Sequence, residues 1–329
     1  NQFHLQKKIL ERERSFGMVP VLPAFAGHVP KAIKEKYPDA KITSLGSYGV
    51  GEQYEAFFLD PMDSLFIKIQ QEFLKTQNRY FGTDHFYGAD PFNEMDPPET
   101  SPEYLASVSR TIYNGMSSID PDAKWVQMGW TFYYMKLWKE NPARLEAMIK
   151  AVPENKMIIL DYFAEKEEVW RNTRAWYEAP YVWCYLGNFG GRTEMAAPLR
   201  AVAKRLAEAE SDPGHGKLYG IGSTLEGFNV NRFMFEWLFD YAWDRSVTNV
   251  DKWITTYAQS QAKTNDPVAE EAYRKLTSLV YNDQVSGVGT GSLVQARPYL
   301  TGIHGYQQPV KYDYRELVNI LGLMLVASD

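Results

Sequence analysis

Over the first 245 positions two hydrophobic patterns take turns along the chain. Short unbroken apolar runs, bounded by Gly, Pro, Asp or Asn, alternate with longer segments in which apolar residues recur every three or four positions. The first pattern predicts strands buried on both faces, and the second predicts amphipathic helices packed over them. Strands are expected over 18–25, 84–88, 125–128, 157–160, 181–186 and 218–222. Helices are expected over 3–15, 61–77 and 102–118, from 141, from about 164, and through 209. Ser101-Pro102-Glu103 and Asn141-Pro142 each place a polar cap before a proline, the start signal of a helix. A short helix is also expected to open at Gly27-His28-Val29-Pro30, and 37–60 reads as loop. Gly46, Gly49 and Gly51 in that loop lack the helix that a phosphate cradle requires directly afterwards.

Six such strand–helix repeats predict an α/β fold with a parallel sheet. Every polar candidate, Glu94, Trp130, Asp161, Asn188 and Glu226, follows directly after an expected strand. In a (β/α)8 barrel those loops share one rim, the catalytic face, so the fold class read here is the TIM-like barrel. The rival, an open doubly wound sheet, normally carries a glycine-rich first turn, which is absent. Beyond Phe239 helical periodicity continues over 250–263, 266–280 and 312–326 without strands between. The expected domains are therefore a barrel over 1–245 and an all-α domain over 246–329, with the glycine-rich stretch 285–292 as a flexible connection.

Composition narrows the chemistry. At 329 residues, 45% hydrophobic and 23% charged, the chain can bury an ordinary globular core. A net charge of −6 and no dense Lys/Arg run disfavour nucleic acid as a partner. No run is long and apolar enough to suggest a membrane. The single cysteine, Cys184, excludes an intrachain disulfide and reads as a buried inert thiol. Five scattered histidines without paired spacing give no expectation of a metal, and His28 and His85 read as hydrogen-bonded structural residues. The chain is rich in rings, with 22 Tyr, 17 Phe and 9 Trp. Sugars pack their C–H faces on such rings, although most aromatic residues serve a core.

The two strand-end glutamates carry the candidate chemistry. Glycoside hydrolysis needs one carboxyl to protonate the leaving oxygen and a second to meet the oxocarbenium-like carbon. Separations of about 5–5.5 Å serve a retaining route and about 6.5–9.5 Å an inverting one. Glu94 stands among Phe92, Met95, Pro97 and Pro98, an apolar setting expected to keep it protonated. Glu226 stands among Thr224, Gly227 and Asn229, whose hydrogen bonds are expected to hold it ionised. Asn93 reads as orienting Glu94 or a sugar hydroxyl, and Asp161 as a helix N-cap ahead of a substrate ligand.

The segments 17–30 (GMVPVLPAFAGHVP), 81–85 (FGTDH) and 87–95 (YGADPFNEM) resemble the α-N-acetylglucosaminidases of glycoside hydrolase family 89. The resemblance continues in Gly129-Trp130, Leu160-Asp161, Phe163-Ala164-Glu165, Trp183-Cys184, Asn188-Phe189-Gly190-Gly191 and Glu226-Gly227. It implies a cofactor-free retaining hydrolase of glycans ending in α-linked N-acetylglucosamine, with Glu94 as acid/base and Glu226 as nucleophile. It also implies that Trp130, Trp183, Asn188 and Phe189, beside Asn93, bind or support the sugar, with ordinary barrel-top packing the open alternative for Trp130, Trp183 and Phe189. Family members are secreted, periplasmic or lysosomal and carry barrel strands before, and a longer helical domain after, the matched region. Remaining parts of the same enzyme are therefore expected as partners of this chain. Two alternatives stay open on the residues alone: a non-catalytic carbohydrate-binding or scaffold barrel, and a barrel hydrolase of another sugar.

Overall fold

The computed structural model describes residues 1–47, 51–190, 195–227, 230–282 and 312–328. The described strands are β1 (Val21–Pro23), β2 (His28–Val29), β3 (Ile42–Gly46), β4 (Ala56–Leu59), β5 (Phe86–Gly88), β6 (Lys124–Met128), β7 (Met157–Asp161), β8 (Tyr181–Tyr185) and β9 (Leu218–Ser223). Six of them form one sheet in the order β1-β5-β6-β7-β8-β9. The registers of β1 with β5, β5 with β6 and β6 with β7 are parallel. Helices fall between these strands, so the α/β parallel architecture read from the hydrophobic pattern is the one observed.

The chain separates into two compact units. The first comprises Asn1–Asp161, Val169–Val182 and Gly216–Tyr219. Its core lies between the sheet and the helices Ser64–Phe81, Pro102–Ser117 and Pro142–Lys150. Tyr87, Trp125 and Ile159 from the strands and Phe66, Leu74, Leu105, Val108, Ile112 and Met116 from the helices are essentially inaccessible to solvent. Each such side chain contributes about 1.5–3 kcal/mol of transfer free energy. Trp125 also needs a partner for its indole N–H, and it donates to the Ala89 carbonyl at 2.7 Å. Capping agrees with the sequence: Ser101 Oγ accepts the Tyr104 N–H and Asn141 Oδ1 the Ala143 N–H.

The second unit comprises Tyr162–Glu168, Trp183–His215 and Gly220–Asp329. Its helices include Leu199–Ser211, Arg232–Trp243, Val250–Ala262, Pro267–Val280 and Tyr314–Ser328. Phe233, from the first turn of Arg232–Trp243, stacks on Tyr281 with ring centroids 4.5 Å apart and meets Trp253 edge-on. The helices expected over 250–263, 266–280 and 312–326 are thus present within a residue or two. The glycine-rich stretch 285–292 lies outside the described residues. No described helix is long and apolar enough to cross a membrane.

Three expectations are corrected. The stretch 37–60 contains β3 and β4, which with β2 form a separate antiparallel sheet in the order β2-β4-β3. These strands are too short, and β3 too exposed, to leave a clear period-two signature. Around 27–30 the chain is the bridge β2, and the helix starts later, at Lys31–Lys36 with Pro30 as its cap residue. The helix expected from about 164 begins only at Val169–Asn172.

That helix runs into Arg174–Glu178, five consecutive residues with positive φ. A left-handed turn built from L-residues costs about 1–2 kcal/mol per residue. Ala175, Trp176 and Tyr177 are buried within it, and Thr173 Oγ1 accepts the Trp176 N–H at 3.1 Å, so packing and a cap offset the strain.

Candidate active site

The loop after β5 carries the first carboxylate. Phe92 and Glu94 both have positive φ, 63° and 52°, in a segment without glycine. Strained backbone of this kind persists where surrounding structure over-determines it, and it concentrates at functional sites. Phe92 is fully buried, and its carbonyl accepts the Thr131 hydroxyl, so the loop is anchored from the inside. Phe92, Met95 and Pro97 turn inward while Glu94 points out to solvent. The apolar setting expected for Glu94 from its sequence neighbours is therefore not its environment.

The partner of Glu94 comes from the next strand end. Trp130 opens the short helix Trp130–Tyr134 directly after β6, and its Nε1–H donates to Glu94 Oε1 at 2.7 Å. The indole stacks on Tyr134 with centroids 5.4 Å apart and planes 12° from parallel. Asn93 does not orient Glu94; among the described residues its half-exposed amide makes no hydrogen bond. Beneath the loop, Asp90 Oδ1 accepts the Met128 N–H at 2.7 Å and the Gln127 side-chain N–H at 2.9 Å, tying the end of β5 to the end of β6. Burial pushes the Asp90 carboxyl up to about 6.

Asp161, at the end of β7, is buried and works as a cap. Its oxygens accept the Val169 N–H at 3.4 Å, the Trp170 N–H at 3.1 Å and the Trp176 indole at 3.3 Å. The capping role read from the sequence is the one observed, on a helix that starts five residues later than expected.

In the second unit Glu226 is half-buried on the loop after β9. Its Oε2 accepts the Gly190 N–H at 2.9 Å, and its Oε1 accepts the Tyr162 hydroxyl at 3.4 Å. Thr224 Oγ1 in turn donates to the Tyr162 carbonyl at 2.6 Å. Hydrogen bonds do hold this carboxylate, but Thr224 reaches it only through Tyr162, and Asn229 lies outside the described residues. Tyr162 was not singled out from the sequence. The available signal was its place immediately after a strand-end aspartate. A backbone N–H such as that of Gly190 leaves no trace in a sequence at all.

The remaining candidates divide. Trp183 is fully buried in β8 and donates its indole N–H to the buried Glu168 at 3.0 Å, so it serves the core and cannot face a sugar in this structure. Asn188 is buried, and among the described residues its Oδ1 has no hydrogen-bond partner. Phe189 is half-buried and meets Phe163 edge-on at 6.1 Å. Gly191 lies outside the described residues.

Among the described residues the His28 side chain makes no hydrogen bond; its ring meets Phe58 edge-on at 5.7 Å, a ring contact where a hydrogen bond was expected. His85 precedes β5 and shares Asp120 with Tyr87 and Thr83, whose hydroxyls donate at 2.7 and 2.9 Å. His85, Asp120 and Asp122 lie close enough to hold a cation by distance. Asp120 is already engaged by those three side chains and by the Asp122 N–H, the donor set of a structural carboxylate.

A parallel sheet covered by helices, with carboxylates on the loops after its strands, is the architecture of the barrel glycoside hydrolases. The description "Alpha-N-acetylglucosaminidase (NAGLU) tim-barrel domain" matches residues 1–245, and that of the corresponding C-terminal domain matches 253–329. The chain belongs to the alpha-N-acetylglucosaminidase family. It is 38% identical over 285 residues to alpha-N-acetylglucosaminidase of Homo sapiens, covering 85% of this chain and 38% of that protein. It is also similar to solved structures of a family 89 glycoside hydrolase from Clostridium perfringens. The complex with PUGNAc matches with a TM-score of 0.77 at 26% identity, over 96% of this chain and 35% of that one. A variant of the clostridial enzyme in complex with its substrate GlcNAc-alpha-1,4-galactose matches equally well, with a TM-score of 0.77 at 26% identity. This chain thus spans between a third and two fifths of the length of these relatives.

Proposed function

We propose that the chain is the catalytic part of a retaining exo-glycoside hydrolase that removes terminal α-linked N-acetylglucosamine from glycans. Residues 1–245 form the catalytic barrel domain in this reading, and 246–329 belong to a helical domain. Glu94 is the acid/base and Glu226 the nucleophile, with no cofactor in the reaction. The relatives are more than twice as long as this chain, and the full-length enzyme is the unit in which activity is to be sought.

The observation that carries this reading is the contrast between the two carboxylates. Glu226 accepts on both oxygens, from a backbone N–H and a phenol. Such donors fix the direction in which the carboxylate points. Glu94 accepts one indole N–H on Oε1, and among the described residues its Oε2 has no partner, so one oxygen stays open toward solvent. Asn93 and Phe189 stand half-exposed beside these groups in their respective units and suit contacts to sugar hydroxyls and C–H faces. The clostridial neighbour's substrate, an α-linked N-acetylglucosaminide, supports the substrate class.

Proton NMR of the full-length enzyme acting on a chromogenic α-N-acetylglucosaminide tests the reading. First release of the α-anomer of N-acetylglucosamine is expected. Initial release of the β-anomer would make the enzyme inverting, and saturable sugar binding without release would favour a non-catalytic barrel.

A further inference from the structure

Glu165 lies half-buried in the loop after β7 and takes no part in the reaction proposed above. Its Oε1 accepts the N–H groups of Leu186 at 3.0 Å and Gly187 at 2.6 Å, and its Oε2 accepts Leu186 again at 3.1 Å. The clamp therefore seizes the backbone where β8 ends and its loop begins. Gly187 has a φ of +79°, and a Cβ there would approach Tyr185 Cε1 to 2.9 Å, so glycine is needed both for the turn and for the space. The Asn188 N–H then closes on the Leu186 carbonyl at 3.1 Å. Gly190 follows, and its N–H donates to Glu226 Oε2. The approach is close: a Cβ on Gly190 would sit 3.6 Å from both Cβ and Oε2 of Glu226.

Burying a carboxyl group is costly unless its oxygens are used. The charged and titratable groups around Glu165 are Arg205, whose Nη1 donates to the neighbouring Ala164 carbonyl at 3.3 Å, and the buried Tyr185, whose phenol is pushed well above its ordinary value by burial and by Glu165. Burial pushes Glu165 itself up to about 7. Neither neighbour replaces the backbone N–H groups as the main partners of the carboxyl. A half-buried acid spent on two consecutive loop N–H groups, three residues from a nucleophile's donor, is placed to set that loop.

We propose that Glu165 is a positioning residue: by clamping Leu186 and Gly187 it sets where the Gly190 N–H stands and thereby aims the Glu226 carboxylate. This rests on Glu226 being the nucleophile.

The test is a double-mutant comparison in the full-length enzyme, with a chromogenic α-N-acetylglucosaminide as substrate and azide as external nucleophile. Glu165→Ala is expected to lower kcat about 10- to 100-fold with KM nearly unchanged, the signature of a misaligned reacting group. Glu165→Gln keeps an acceptor oxygen and is expected to recover most of kcat. In a Glu226→Ala background rescued by azide, adding Glu165→Ala is expected to change the rate by less than about twofold, because the group it aims is gone. Glu165→Asp, which keeps the charge but shortens the reach, carries the same comparison should the alanine variant not fold. If the rescued rate falls by the same factor as in the wild-type background, Glu165 acts independently of Glu226 and the proposal is overturned. If azide rescues nothing in Glu226→Ala, the nucleophile assignment itself fails, and the proposal with it.

Discussion

Trp130 donates its indole N–H to Glu94 Oε1 across 2.7 Å, while its ring lies flat against Tyr134. One side chain thus holds the carboxylate with its edge and is held in turn by its face. The two roles can be separated by substitution.

Trp130→Phe keeps an aromatic ring for Tyr134 and removes the N–H together with part of the indole's area. Loss of one hydrogen bond to a charged group is worth about 1.5–3 kcal/mol. A fall in kcat/KM of at least about 10-fold is expected, with little change in melting temperature because Trp130 is half-exposed. Wild-type kinetics in this variant would mean that the bond does not serve the reaction.

Removing each carboxylate should give opposite stereochemical signatures. With Glu226→Ala, azide is expected to restore turnover and yield a glycosyl azide of inverted configuration. With Glu94→Ala, azide is expected to intercept the glycosyl-enzyme and yield a product of retained configuration. Exchange of the two outcomes, read by NMR of the azide products, would interchange the roles of Glu94 and Glu226.

Folding stability should decline from mildly acidic to mildly basic pH. Burial raises Glu165 from 4.5 to about 7 and Asp90 from 3.8 to about 6. For a carboxyl raised on folding, the protonated form favours the native state. The stabilisation is complete below the unfolded value and is lost as pH rises through the folded one. Asp63 and Asp120 are held below the ordinary aspartate value and titrate beneath this window. Glu165→Gln is neutral at every pH, so it should shrink the difference in unfolding free energy between pH 5 and pH 8 by roughly 2–3 kcal/mol. Denaturant melts at the two pH values measure it, and an unchanged difference would show that Glu165 does not titrate in that range.

Trp183→Phe separates core from sugar contact. Trp183 is fully buried and donates to Glu168 inside the second unit. The expected loss is about 1–3 kcal/mol of stability, seen as a lower denaturation midpoint, with KM for an α-N-acetylglucosaminide unchanged. A raised KM without loss of stability would return Trp183 to the sugar site.

The local code of the chain sufficed for the main architecture. Buried strands and amphipathic helices write their periods into consecutive residues, so the six strands of the parallel sheet and the placement of Glu94 and Glu226 after strands were legible before any coordinates. The antiparallel sheet of β2, β3 and β4 was not, because two- to five-residue strands are too short to show a period. The left-handed turn at Arg174–Glu178 was not either, since none of its residues is a glycine and its cost is offset by the burial of Ala175, Trp176 and Tyr177 and by the Thr173 cap.

The environment of each carboxylate was decided by tertiary structure alone. Trp130 is 36 residues from Glu94, Gly190 is 36 and Tyr162 is 64 from Glu226, so no sequence neighbour foretold which donor would arrive. The immediate neighbours misled at Glu94, where Phe92 and Met95 fill the core and leave the carboxylate outside. Burial is likewise a property of the folded chain: it made Asp90 and Glu165 the perturbed acids, and nothing in their own segments distinguishes them from the carboxylates that stay in water.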